Sequence, residues 1–315
     1  MFKIYKFLCI WLCVSSFLSA TDSTIQFENL IGKPPTKACW LAKRFKESLS
    51  GQKNLLLLYG PPGNGKTTLA RKIAEYVNGV FLAQSGPRVV NEYVGSGAKN
   101  ISQLFEDAYR LSDENQKTII FIDEIDAIAS NIKLDSRAEY KSALQQLWLE
   151  LDKCKNDPNI FVIFATNHFD KLDTTFLDRM GGNSIEIKNP DVATRKKVLE
   201  HYFKNANISL DTVPLETLVT KTNDLSIRCL EDLVADIHMA TELSTGKKVT
   251  DAMVWQALSD TKTKFDKNKT SDEVNEKWWH LTSSKVAAIT GSAGLTLNLI
   301  YFAAWLAGIS GPRMA

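Results

Sequence analysis

The chain has 315 residues, 44% hydrophobic and 23% charged, which is material for one large domain or two modest ones with a buried core. Its formal net charge of +2 sets up no strong field, so nucleic acid is not an expected partner. The five cysteines, Cys9, Cys13, Cys39, Cys154 and Cys229, have neither metal-ligand spacing nor the pattern of a disulfide framework.

Residues 1–20, MFKIYKFLCIWLCVSSFLSA, place Lys3 and Lys6 ahead of an apolar stretch from Phe7 to Phe17, the layout of a signal peptide or short signal anchor. Ala20 suits a cleavage site, whereas Leu18 stands where a small residue is preferred; a buried N-terminal helix is the alternative. From Phe27, FENLIGKPPTKACWLAKRFKESL reads as a short strand or turn, a Pro34-Pro35 corner and a helix.

The stretch Leu55 to Thr68, LLLLYGPPGNGKTT, follows. Four leucines before a turn predict a strand buried on both faces, as in a parallel sheet. The loop fits G-x-x-x-x-G-K-[ST], with Gly60, Gly65, Lys66 and Thr67 in place, and it runs into a helix with apolar Leu69, Ile73, Ala74 and Val77. Such a loop, here Gly60, Pro61, Pro62, Gly63, Asn64, Gly65, Lys66, Thr67 and Thr68, is predicted to bind the phosphates of a nucleotide such as ATP. Its glycines let backbone N–H groups turn inward, the helix start adds its positive dipole end, and Lys66 supplies a mobile cation. Thr67 would put its hydroxyl on a Mg2+ ion bridging the phosphates. A glycine-rich turn without a ligand is the competing reading, and the order of strand, loop and helix weighs against it.

Next come a short strand, VFLAQSG (Val80 to Gly86), and a glycine-broken loop holding Tyr93, Val94 and Gly95. The helix after the loop carries Ile101, Leu104, Phe105 and Ala108 at helical spacing. On composition alone Tyr93 suits contact with a partner and packing on its own domain alike. In TIIFIDEIDAIAS, Ile119 to Ile122 predict a second buried strand. Asp123 and Glu124 then fall at its carboxyl end, where parallel sheets bind ligands. Asp123 can hold magnesium, directly or through water, while Glu124 can polarise the water that attacks the γ-phosphate. A helix from about Ser136 to Cys154 precedes a third buried strand, Ile160 to Ala165, which ends in Thr166 and Asn167. Asn167 can orient the attacking water; a turn-forming asparagine is the plainer alternative.

In order and spacing, these motifs resemble those of the AAA family of ATPases from Phe27 to Met239. FENLIG at 27–32 is similar to the family's opening motif, GPPGNGKTT to its Walker A, FIDEIDAI to its Walker B, and Ala165 to Asn167 to its first sensor. The resemblance implies an α/β fold, a P-loop doubly wound parallel sheet over 27–189 followed by a small α-helical lid domain over 190–265. It also implies a homo-oligomer, a hexameric ring that uses ATP and Mg2+. Tyr93, Val94 and Gly95 become the pore loop that grips a polypeptide substrate. Arg179, in FLDRMGGNSIEI, becomes the finger that reaches a neighbour's γ-phosphate, worth on the order of 10³ to 10⁵ in rate. Gly182 stands where many relatives carry a second arginine. In the lid, Asp191 is predicted to cap VATRKKVLEHYF. The segment SIRCLEDLVADIHMA resembles the second-sensor helix, with Arg228 where several branches hold an arginine near the nucleotide.

Residues 266–285 are polar and linker-like until Trp278 and Trp279, which suit a membrane interface. Val286 to Ile309 carries no charge and would reach about 36 Å as a helix, against a bilayer core of about 30 Å. A transmembrane helix is the expectation, with a buried helix or hairpin as the alternative, because Thr290, Ser292, Thr296 and Asn298 dilute it. The charges flanking the two ends point to opposite topologies, so a membrane partner is expected without a side. The leading expectation is an ATP-driven motor that remodels or unfolds proteins. No H-E-x-x-H occurs to add a zinc protease. The other readings are an assembly scaffold timed by hydrolysis and a small-molecule kinase, the latter disfavoured by Asp123, Glu124, Asn167 and Arg179.

Overall fold

The computed structural model describes residues 27, 30–32, 34–49, 54–91, 96–130, 138–209, 215–244 and 249–266. The expected leader over 1–20, the segment Tyr93-Val94-Gly95, and the expected membrane stretch 286–309 with Trp278 and Trp279 lie outside them. Among the described residues no helix is long and apolar enough to cross a membrane. The chain divides into two compact units, Met1–Ala257 and Leu258–Ala315.

The first unit is built on five strands, β1 (Leu55–Tyr59), β2 (Val80–Ser85), β3 (Thr118–Asp123), β4 (Ile160–Thr166) and β5 (Ser184–Glu186). They lie in the order β2-β3-β4-β1-β5, with every pairing parallel. The central strands are apolar at consecutive positions because both faces are covered, and strand side chains alternate between faces. One face presents Leu55, Leu57, Ile120, Ile122, Ile160, Val162 and Phe164 to a core shared with Ile101, Phe105, Leu147 and Leu151. These four come from α4 (Ser96–Asp113) and α6 (Ala138–Cys154). The opposite face presents Leu56, Leu58, Ile119, Phe121, Phe161, Ile163 and Ala165 to α1 (Thr36–Lys46) and α2 (Lys66–Val77). This is the doubly wound arrangement expected from the sequence.

The topology fixes where chemistry can occur. From β1 the chain crosses to the far edge at β2, then returns through β3 to β4, so the helices after β1 and β2 leave on opposite faces. Because all strands are parallel, Tyr59, Asp123 and Thr166 end on one rim. A helix, α3 (Gly86–Asn91), stands where the sequence suggested the start of a loop. Pro87 is tolerated near a helix start, where no N–H partner is needed, and the burial of Val89 holds the segment on the core.

After Asp126–Ala129 (α5), the turn Phe169–Lys171 and Thr174–Met180 (α7), the chain enters a helical region. It consists of α8 (Val192–Asn205), α9 (Leu215–Lys221), α10 (Ile227–Leu243) and a last helix, α11, over residues 251–266. Asp191 caps α8 by accepting the Thr194 N–H at 2.8 Å, as expected from the sequence. Buried Arg195 ties α8 to its surroundings by donating to Val219 O at 3.4 Å and Pro190 O at 2.9 Å.

Candidate functional site

The loop after β1 is shaped by contacts that only glycine allows. Gly60 has φ +132°, and a Cβ there would stand 2.3 Å from the backbone oxygen of Ile187. Gly65, at φ +84°, turns the chain into α2. Lys66 follows and is buried, its ammonium donating to Gly60 O at 2.7 Å and Pro61 O at 3.0 Å. Burial pushes the Lys66 pKa down, and the nearby charge of Asp123 opposes that shift.

Thr67, in the first turn of α2, and Asp123, at the end of β3, meet directly. The Thr67 hydroxyl donates to Asp123 Oδ2 at 3.1 Å, while Asp123 Oδ1 accepts the Glu124 N–H at 2.9 Å. A hydroxyl and one carboxylate with both oxygens oriented are a donor set that suits magnesium, which takes few protein ligands and completes its shell with phosphate and water. Among the described residues no group of three or more His, Cys, Asp or Glu stands where it could hold a metal. Glu124 is exposed and has φ +51°, an uncommon conformation for a non-glycine residue. A Cβ added to Gly86 would stand 2.4 Å from Glu124 O, so a bare backbone on β2's side supports this turn.

Asn167 projects from the end of β4 as an exposed residue beside buried Thr166. Thr166 donates to Asp126 Oδ1 at 2.5 Å and accepts the His168 N–H at 2.9 Å, which stitches the β3 and β4 ends together. The structure thus brings Lys66, Thr67, Asp123, Glu124 and Asn167 to one rim. It does not bring Arg179 there. Arg179 Nη1 donates to Asp152 at 3.2 Å, and its guanidinium lies 4.5 Å over the Trp148 ring. The cavity it lines includes Asn54 and Leu55, at the amino end of β1, about 16 Å from the loop by strand rise. Arg179 therefore faces away from its own chain's loop.

Arg228 does sit at the loop, although its backbone makes the contact: its N–H donates to Gly63 O at 3.1 Å, and the side chain is exposed. Sequence reasoning missed several residues here, namely Asp126, Asn189, Gly86 and the side-chain role of Asn64. Asn64 Nδ2 donates to Asn189 Oδ1 at 2.7 Å. Only the acid at 126, close behind the acid pair, offered a signal in the sequence.

Residues 56–189 match the sequence model of the family described as ATPase family associated with various cellular activities (AAA). The chain is 35% identical over 192 residues to proteasome-activating nucleotidase 2 of Haloferax volcanii, covering 58% of this chain and 44% of that protein. It is 38% identical over 177 residues to the 26S proteasome regulatory subunit 4 homolog of Saccharomyces cerevisiae, with 54% and 39% covered. A third relative, at 38% over 173 residues, is the ATP-dependent zinc metalloprotease FtsH 2 of a Thermoanaerobacter species, with 54% and 33% covered. The chain spans less than half the length of these relatives. The family match runs from inside β1 to the residue before Pro190, across every strand end that carries a candidate residue, and over these residues the chain carries an AAA-type ATPase domain.

Proposed function

We propose that this chain binds ATP with Mg2+ at the loop after β1, hydrolyses it, and uses the cycle to remodel polypeptides as a homo-oligomeric ring. The observation that carries this reading is the Thr67–Asp123 hydrogen bond at 3.1 Å, which sets a hydroxyl and a carboxylate side by side with Glu124 next in the chain. Magnesium held by Thr67 and Asp123 would neutralise charge on the β- and γ-phosphates. Lys66 binds the outer phosphates, and Gly60 to Gly65 wrap them with N–H groups. Glu124 takes the proton from the water as it attacks the γ-phosphorus, and Asn167 holds that water in line. The proton passes to Glu124, the bond to the β-phosphate oxygen breaks, and ADP and phosphate leave. Arg228 reaches the same nucleotide from the lid side. Arg179 serves a neighbour's site, consistent with its position away from its own loop.

Two of the relatives are named for proteasomal roles and the third as an ATP-dependent protease, which supports a polypeptide substrate gripped by Tyr93, Val94 and Gly95. Membrane association belongs to this proposal through residues 1–20 and 286–309, and protease accessibility of the ATPase region in sealed membranes tests it. The central test is Glu124→Gln. Hydrolysis is expected to fall by about 10² to 10⁴ with nucleotide still bound, and undiminished turnover would overturn the assignment. Tyr93→Ala separates a threading motor from a timed scaffold: lost substrate processing with intact ATPase supports the motor, and unchanged processing supports the scaffold.

A further inference from the structure

The tip of the phosphate loop is joined to the lid by side-chain and backbone hydrogen bonds. Asn64 is buried, 5% exposed, and both ends of its carboxamide are engaged. Its Nδ2 donates to Asn189 Oδ1 at 2.7 Å, and its Oδ1 accepts the Ile227 N–H at 3.3 Å. Asn189 passes the connection on, its Nδ2 donating to Asp224 O at 3.0 Å. Arg228 N–H donates to Gly63 O at 3.1 Å, and a Cβ on Gly63 would stand 2.9 Å from the Arg228 Cβ.

These bonds satisfy the start of a helix. The first N–H groups of an α-helix have no partner within it and must be met from outside. In α10 the Cys229 N–H goes to Ser226 Oγ at 3.3 Å, the ordinary cap. The Ile227 and Arg228 N–H groups go to Asn64 and Gly63, so the phosphate loop itself completes the cap. Asn189 precedes Pro190 at the passage into α8, and Asp224 holds φ +64° in the turn before α10. Loop, passage and third lid helix form one closed hydrogen-bonded circuit, and Asn64 is the member common to both arms.

We propose that Asn64 is a positioning residue that sets the lid helix α10 against the phosphate loop, so that a change in the loop's backbone on binding phosphate moves the lid. This rests on the reading of the loop as an ATP site. A buried carboxamide suits the task because it must donate to one asparagine and accept from a backbone N–H at once. Alanine meets neither partner. Aspartate retains the acceptor for Ile227 and sets an oxygen against Asn189 Oδ1; rotating the Asn189 amide restores that contact and takes the donor from Asp224 O. Threonine is too short to span both.

The test uses the full chain with Asn64→Ala, Asn64→Asp, Asn189→Ala and the double alanine variant, each checked for folding by thermal melt. Hydrogen exchange over residues 224–230 is followed with and without ADP, and ATP turnover is measured alongside. In the unmodified protein ADP is expected to slow exchange over 224–230, and in each variant that protection is lost while nucleotide still binds. Turnover falls about tenfold in each alanine variant, through kcat rather than KM, and the double variant is no worse than either single one, as members of one circuit require. Protection that persists in Asn64→Ala, or effects of Asn64→Ala and Asn189→Ala that multiply, would overturn the proposal. If Asn64→Ala does not fold, Asn189→Ala decides, because it breaks the same circuit without touching the loop. The exchange measurement needs binding alone, so a protein that binds ADP but never hydrolyses ATP would refute the proposed activity and leave this inference standing or falling on its own result.

Discussion

Lys66 holds its ammonium against two carbonyls of its own loop while burial makes its charge costly. Its folded pKa lies below the ordinary 10.5, so in the window beneath 10.5 the folded protein binds fewer protons than the unfolded chain. Stability attributable to this group therefore rises with pH through that window. Lys66→Met is expected to abolish nucleotide binding yet melt within a few degrees of the unmodified protein at pH 7, because removing a buried charge offsets the lost hydrogen bonds. Calorimetry of both proteins as pH approaches 10.5 from below should show the upward slope reduced in the variant. A second residue-scale outcome concerns thiols. Burial pushes Cys154 up to about 12 and also raises Cys39, so both remain protonated and shielded at pH 8. Among Cys39, Cys154 and Cys229, a maleimide should label the half-exposed Cys229 first, as mass spectrometry of timed digests would report.

At the scale of elements, the contact between the start of α3 and the end of β3 links two parts of the site that motifs treat separately. Gly86→Ala would drive a carbon into the space 2.4 Å from Glu124 O, and Glu124 is already at positive φ. Hydrolysis is expected to drop at least tenfold with ADP affinity little changed, measured by steady-state turnover and fluorescent-nucleotide titration. Unaltered turnover would mean that the Glu124 turn yields without consequence. The strands that carry the site were legible because they are buried on both faces, which turns tertiary environment into an unbroken apolar run such as Leu55 to Leu58. Lys66, Thr67, Asp123 and Glu124 were legible because phosphate chemistry dictates their spacing. The Asn64 circuit and the Gly86 approach were not, since each joins segments distant in the sequence that only the tertiary fold brings together; Asn64 and Ile227 are 163 residues apart. Helix α3 was missed for a related reason, as its fixed point is the burial of Val89 rather than any periodic pattern.

For the whole molecule, the proposed role of Arg179 at a neighbour's nucleotide predicts that one chain does not hold a complete site. Arg179→Ala should bind ATP normally and lose most hydrolysis, and specific activity of the unmodified protein should climb with protein concentration. Complementation is the sharper measurement. Mixed with Lys66→Ala, itself inactive, Arg179→Ala should regain activity, because about a quarter of randomly formed interfaces pair an intact loop with an intact arginine. Mixtures that stay as inactive as their components would exclude the shared site. Within its own chain Arg179 pairs with Asp152 and lies over Trp148, and a neighbour's phosphate would have to compete with both contacts.

The guanidinium of Arg179 also lies 4.5 Å over the indole of Trp148, and this gives the molecule an optical property. On the proposed role of Arg179, its swing to an adjoining subunit would take the cation from the face of the indole and shift the indole's emission. A titration of fluorescence against protein concentration, subtracting the same curve for Trp148→Phe, would then read ring closure directly, with no dye attached and no substrate present.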